Sequence, residues 1–307
     1  MYKFLPSVFS VVLWLTTIAP AAAVDGFLIE VADGVYIHLG QHADIDVPAR
    51  GDSANLGVVI GTRCAAVIDS GGSIATGRAL RAAIALLTDK PVCYVINTHV
   101  HFDHVLGNAA FVAPGTEFIG QVHLPEALAV SREFFAESFA AELGGEGQGV
   151  QVIAPTRQVS DSERIDLGGR RLLLQAVAAA HTATDMTVLD EQTDTLFSGD
   201  LVFRERLPVL DGDLEGWLAW LKRASTQAYA RVVPGHGPVD EAWPAGAAPL
   251  QRYLSALLDE TRAAIAEGVF IEDAKHTVAK DERTHWLLTE RAHGLNVSRA
   301  FRALEWE

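Results

Sequence analysis

The sequence predicts an α/β protein in which two sheets pack face to face with helices outside. Three observations carry that expectation: a β-α-β unit between residues 65 and 96, a second set of strands that echoes the same order after a glycine-rich break at 144–149, and a helical pattern from about residue 246 onward.

In chain order, residues 35–39, 56–60 and 65–68 are short β-rich runs, each closed by Gly or Asp, and read as strands. Ser73 then caps a stretch with Ile74, Leu80, Ile84 and Leu87 at helical spacing, and Pro91 stops it before the apolar run at 92–96. Helical patterns follow between about 123 and 144. Beyond the break come hairpin-like runs at 163–166 and 171–178, then strands at 186–189 and 195–197 joined by a polar turn. Asp213 caps a helix carrying Trp217, Leu218 and Leu221, and a short strand follows at 231–233. Trp217 and Trp220, three apart, read as packing residues. Residues 238–248 form a connector, after which Leu250, Tyr253, Leu254, Leu257 and Leu258 share one helical face. The expected organisation is a main domain over 24–245 with C-terminal helices at 246–307 packed on it.

Composition narrows the function. With 307 residues, 49% hydrophobic, there is ample material for a core. Lys and Arg total 24 against 39 Asp and Glu, a net charge of −15, and that field repels a phosphate backbone, so nucleic acid is not an expected partner. Lys3, the apolar stretch at 8–18 and Ala21, Ala22 and Ala23 make residues 1–23 a signal peptide in pattern, with an apolar part too short to span a bilayer. No later segment is apolar enough to span, so an exported, acidic chain without a stable membrane span is expected. Cys64 and Cys93 limit the chain to one disulfide. Both lie in apolar runs five residues before Asp69 and Thr98, on strands that are neighbours if parallel. Two buried free thiols are the favoured reading, since bridges between neighbouring strands need unusual geometry.

The chemistry concentrates in one place. His99, His101, Asp103 and His104 put four candidate ligands within six residues, directly after the apolar run at 92–96. On a turn after a strand, His99 and His101 can converge on one ion while Asp103 and His104 face a second, at the ~3.5–4 Å separation of two-metal sites. His181, Asp200 and His236 each sit just past a strand as well, which gathers all seven at one end of the sheets. Imidazole and carboxylate suit Zn²⁺, and iron or manganese fits the same ligand types. His38, His42, His123, His276, His285 and His293 lack such context and read as surface or structural. Asn296 opens a glycosylation triplet inside a helical stretch, where it carries no expectation.

On these residues the chain resembles the metallo-β-lactamase-fold hydrolases, whose H-x-H-x-D-H signature is matched in full at 99–104. Further motifs follow in order: Asp69 with Ser70, Gly71 and Gly72; His181 with Thr182 and Asp185; Ser198, Gly199 and Asp200; and Pro234, Gly235, His236 and Gly237. The resemblance implies a four-layered αβ/βα sandwich. It implies two zinc ions per chain, one held by His99, His101 and His181, the other by Asp103, His104 and His236, with Asp200 bridging and Asp69 supporting ligands instead of binding metal. Asp103 is then the residue that accepts or orients the water proton, and the reaction is hydrolysis of a small ester, thioester or lactam-like substrate.

Asp200 stands where the best-known zinc β-lactamases carry Cys or Ser, and it is similar to the bridging residue of hydroxyacylglutathione hydrolases, from which an exported acidic chain departs. The segment 200–208 and the tail at 296–307 look like exported metallohydrolases that accompany quinoprotein dehydrogenase and sulfur-oxidation systems, which implies a periplasmic redox-system partner. Arg204 and Arg206 are placed to hold an anionic substrate at the pocket mouth, or to pair with local acids. Two other readings share the ligand set: an iron-dependent sulfur dioxygenase, and a non-catalytic metal-binding accessory to a redox partner.

Overall fold

The computed structural model describes residues 23–24, 26–44, 46–144 and 152–306. The expected signal peptide, but for Ala23, and the glycine-rich break, but for Gly144, lie outside the described residues. Among the described residues the first sheet runs in chain order: β1 (Ala23–Val24), β2 (Leu28–Ala32), β3 (Val35–His38), β4 (Leu56–Ile60), β5 (Ala65–Ile68), β6 (Val92–Ile96), β7 (Glu117–Gln121) and β8 (Arg157–Val159). The second sheet comprises β9 (Ser162–Asp166), β10 (Arg171–Ala176), β11 (Met186–Asp190), β12 (Thr195–Phe203) and β13 (Arg231–His236), ordered β13-β12-β11-β10-β9. From β1 to β5 the first sheet is antiparallel, whereas β5 to β8 are parallel.

Strand alternation decides which side chains meet. Val35, Ile37, Val59, Ala66 and Ile68 of the first sheet pack on Leu172, Leu174, Met186, Val188 and Phe197 of the second, forming the inner core. Gly57 on β4 is a required glycine, because a Cβ there would run into the Phe197 ring. Residues of opposite parity, such as Val58 and Val67, face α1 (Ile74–Leu87) through Leu80 and Ile84. Ser73 caps that helix as expected, accepting from the Thr76 N–H at 3.0 Å. Two further helices on this half are α2 (Phe102–Val105) and α3 (Leu124–Ser138). Against the second sheet lie α4 (Leu214–Ala224), capped by Asp213, then α5 (Ala248–Ala266), α6 (Ile271–Thr277) and α8 (Thr289–Leu304), sharing one apolar cluster around Trp217, Leu254 and Val297, with the short α7 (Lys280–Arg283) between α6 and α8 adding no buried residue. Layer by layer this is helix, sheet, sheet, helix. No helix of the described residues is long and apolar enough to cross a membrane.

Several expectations are corrected. Cys64 and Cys93 are bonded to each other, their Cα atoms 5.8 Å apart, instead of being free thiols. An irregular register between Ala65–Val92 and Ala66–Tyr94 brings Cys64, just ahead of β5, beside Cys93 on β6. Strand β12 does not end at 197 but continues through Asp200 to Phe203, and β13 reaches His236, with register shifts between them at Gly199. The amide of Asn296, whose triplet carried no expectation, is buried, accepting from Leu210 N–H at 2.8 Å and donating to Pro208 O at 2.8 Å.

The sheets are also locked by a buried ion pair. Arg170 donates to both Asp190 oxygens at 2.9 and 2.8 Å, and to Ile60 O on β4 at 3.2 Å. Breaking a buried pair strands its partner's charge, so Arg170→Met is expected to lower unfolding free energy by about 3 kcal/mol in urea denaturation. A second expectation concerns pH. His293 is 1% exposed, and burial together with the Arg283 charge pushes its imidazole down to about 4. The unfolded chain binds this proton from pH ~6.5 downward while the folded one refuses it until about 4, so stability falls across that window by at most about 3 kcal/mol. His293→Phe flattens this loss in denaturation curves recorded from pH 7 to pH 4.

Candidate metal centre

All seven predicted ligands arrive at one end of the two sheets. His99 and His101 follow β6, His101 stands at the N-terminal boundary of α2, and Asp103 and His104 ride its first turn. From the second sheet come His181 beyond β10, Asp200 inside β12 and His236 at the tip of β13. A backbone bond from Met186 N–H to Thr98 O at 2.8 Å, and another from Asn55 N–H to Gly235 O at 2.8 Å, fasten the sheets directly beneath. Gly235 has to be glycine, since a Cβ would collide with the Asp200 carboxylate.

Two groups form there: His99, His101, His181 and Asp200; and Asp103, His104 and His236, with ligand atoms in each group within 4.8 Å of one another. Asp200 lies between them. Its Oδ2 is 3.6 Å from His99 Nε2 and 3.3 Å from His181 Nε2, whereas its Oδ1 is 3.1 Å from His104 Nε2 and 3.3 Å from His236 Nε2. Asp103 Oδ2 stands 3.4 Å from His236 Nε2.

Outer contacts fix which ring nitrogen faces inward. His104 Nδ1–H donates to Asp69 Oδ2 at 2.8 Å, and His99 Nδ1–H donates to Thr98 Oγ1 at 3.0 Å, whose hydroxyl donates in turn to Asp69 Oδ2 at 2.7 Å. Asp69 also accepts from Thr98 N–H at 2.8 Å, and it holds a left-handed backbone, φ 57°, to do so. His236 Nδ1–H donates to Ser53 O at 2.7 Å, and Ser53 Oγ–H to Asp103 Oδ2 at 2.8 Å. His101 turns the other way: Nε2–H donates to Asp211 Oδ2 at 3.0 Å, leaving Nδ1 inward, 3.0 Å from His181 Nε2. The His181 ring rests edge-on against Trp217, centroids 5.1 Å apart.

Buried His99 Nε2, His104 Nε2 and Asp200 Oδ1 have no hydrogen-bond partner among the described residues. Burial pushes His181 down to about 3 and His99 well below its ordinary value. For Asp200 burial works upward but is overcome by His236, His104 and His99, which hold the carboxylate well below its usual range. In His104 burial is likewise overcome, here by Asp200, Asp69 and Asp103, and the ring sits well above the imidazole range. His99 and His181 offer neutral imidazole lone pairs, the Asp200 carboxylate is ionised, and a divalent cation such as zinc would displace the proton that the acids hold on His104, so these residues fit metal ions.

Of the two arginines expected at the pocket mouth, Arg206 lines the cleft above the clusters and Arg204 does not. Arg204 is spent on the Pro238 and Val239 carbonyls, at 3.0 and 2.6 Å. None of the six context-free histidines joins either group among the described residues. Sequence reasoning missed Ser53, Asp211 and Arg299. Arg299 of α8 donates to Leu210 O at 2.6 Å and pairs with Asp211 Oδ1 at 3.0 Å, so the C-terminal helix steadies the carboxylate that orients His101. No local pattern marks these three, because each acts across a long loop closure.

Residues 49–236 match the family model of the metallo-beta-lactamase superfamily, and the chain belongs to that superfamily. No curated protein sequence matches it. Among solved structures it is similar to the stereoselective inverting sec-alkylsulfatase Pisa1 from Pseudomonas sp., with TM-score 0.66 and 16% identity over 91% of this chain and 50% of that one. It therefore spans half the length of that sulfatase. It is also similar to a metallo-beta-lactamase from Pontibacter korlensis, TM-score 0.58 and 20% identity over 74% of this chain and 98% of that one, and to TMB-1, TM-score 0.54 and 19% identity over 73% and 93%.

Orienting carboxylates govern metal affinity by ~10–100-fold. Asp211→Ala is expected to weaken metal binding by about that factor, and Arg299→Met by less in the same direction, both read by titration against a competing chelator.

Proposed function

We propose that the protein is an exported, periplasmic hydrolase that uses two zinc ions on a small ester, thioester or lactam-like substrate and accompanies a periplasmic redox system. The observation that carries the reading is the Asp200 carboxylate, one oxygen turned to each ligand group. His99, His101 and His181 would hold one ion and Asp103, His104 and His236 the other, with Asp200 shared. Such a pair, when bound, supplies Lewis acidity and a water of lowered pKa. Export is supported by the N-terminal sequence pattern and by the Cys64–Cys93 bond, which suits an oxidising compartment. Similarity to a sulfatase and to β-lactamases supports hydrolysis as the reaction type.

The chain's own part is positional. Asp103 is held by the Ser53 hydroxyl through Oδ2, which leaves Oδ1 to orient the attacking water and take its proton. The water oxygen bonds to the acyl carbon, the bond to the leaving atom breaks, and the proton passes to the departing group. Arg206 holds an anionic part of the substrate beside His236.

Asp103→Ala is expected to reduce turnover at least ~10²-fold, the scale of a lost general base, in hydrolysis assays with thioesters and a chromogenic β-lactam. Elemental analysis of purified protein is expected to find about two zinc ions per chain. About one iron per chain, with oxygen uptake on persulfides, would replace this reading by a sulfur dioxygenase, and partner binding without turnover on any acyl substrate would replace it by an accessory role.

A further inference from the structure

We infer that the cleft over the two ligand groups selects amphiphilic anions, molecules that carry one carboxylate or similar oxyacid group near the scissile bond and an apolar chain. The position of that bond rests on the hydrolase reading; the binding preference does not.

The cleft encloses about 320 Å³ and carries three arginines. Two are already committed: Arg291 to Asp46 at 2.7 Å, and Arg299 to Asp211 and Leu210 O. Arg206 forms no ion pair among the described residues, and its Nε is buried without an acceptor. Its Nη1 lies 3.2 Å from His236 Nδ1, but that nitrogen already donates its proton to Ser53 O and has no lone pair to offer. The neighbouring acid is turned away, since Glu205 adopts a left-handed backbone, φ 66°, and its carboxylate pairs with His42 at 3.0 Å. Backbone bonds on both sides of Arg206, from Leu287 N–H to Glu205 O at 2.8 Å and from Leu207 N–H to Leu287 O at 2.9 Å, hold it in place. A partly buried guanidinium that lines the cleft with no carboxylate at ion-pair distance among the described residues is a seat for an external anion.

The walls ask for something different. Phe102, Phe134 and Phe139 line one side, Phe102 stacked on Phe139 with centroids 4.3 Å apart, and Leu207, Leu288 and Leu295 line the other. Phe134 remains 54% exposed and Leu295 41% exposed, although the cores beneath them are filled. A short anion leaves this apolar surface wet, and a neutral chain leaves Arg206 unpaired. Only a molecule with both parts satisfies the cleft.

Calorimetric titration of the metal-loaded protein with butyrate, hexanoate, octanoate and octan-1-ol tests this directly. Affinity is expected to rise about threefold to fourfold per added methylene, with octanol about tenfold or more weaker than octanoate. Arg206→Gln should erase the preference for octanoate over octanol, and Phe134→Ser should shrink the chain-length increment, each with unchanged metal content. Affinity that ignores chain length, octanol binding as tightly as octanoate, or an Arg206→Gln protein that keeps the preference would overturn the inference. Turnover separates it from the hydrolase reading. If octanoate binds as expected while neither octyl hydrogen malonate nor its methyl ester is cleaved, the hydrolase reading fails and the ligand class stands. Cleavage of the neutral diester faster than the half-ester sustains the hydrolase and sinks the amphiphilic anion.

Discussion

Everything at the head of this fold follows from seven side chains able to hold metal, brought together at the floor of a cleft with six of them buried. The inward lone pair of neutral His99 and the oxygens of Asp200 cannot satisfy one another, and burial removes most of the solvent that would otherwise do so. Asp200 is where the conflict is sharpest: its carboxylate is buried among four imidazoles, with one oxygen lacking any donor. A positive ion is the physical resolution, and the surrounding architecture is arranged to present ligands to one and not to avoid the conflict.

Presenting them needs rigid outer support. Each of His99, His101, His104 and His236 has its far nitrogen bonded to a carbonyl, hydroxyl or carboxylate, so the inward nitrogen is set before any ion arrives. Pre-setting of this kind exchanges local strain for geometry, as the left-handed backbone of Asp69 does beneath Thr98 and His104. The sheets beneath are joined by backbone bonds on both sides of the site and, farther off, by the buried Arg170–Asp190 pair.

The C-terminal helices belong to this arrangement. They lie beyond the stretch that matches the family model, yet Asn296 and Arg299 of α8 grip the segment at 207–211 from which Asp211 reaches His101. The same helix supplies Leu295 and Arg299 to the cleft wall. One element thus steadies a ligand and shapes what lies above it, which couples metal affinity to the surface a substrate would meet.

Much of this was legible in the sequence. Period-two and helical patterns located most strands and helices because local burial writes them into adjacent residues, and the spacing of His99, His101, Asp103 and His104 announced the cluster because four ligands on one turn need no tertiary information to be neighbours. His181, Asp200 and His236 were found through turn motifs after strands, although β12 runs through Asp200 and does not stop before it. Pairings across long loops were hidden. The bond between Cys64 and Cys93 depends on a register irregularity, Arg204 and Arg206 look alike in the chain but face different surroundings, and Ser53, Asp211 and Arg299 meet Asp103, His101 and Asp211 respectively only after closures of 50 residues or more. Sequence fixes the chemistry a residue can perform and the period on which it repeats; which nitrogen faces the ion, which arginine stays unpaired and which walls line the cleft are decided only when distant segments exclude water from the same space.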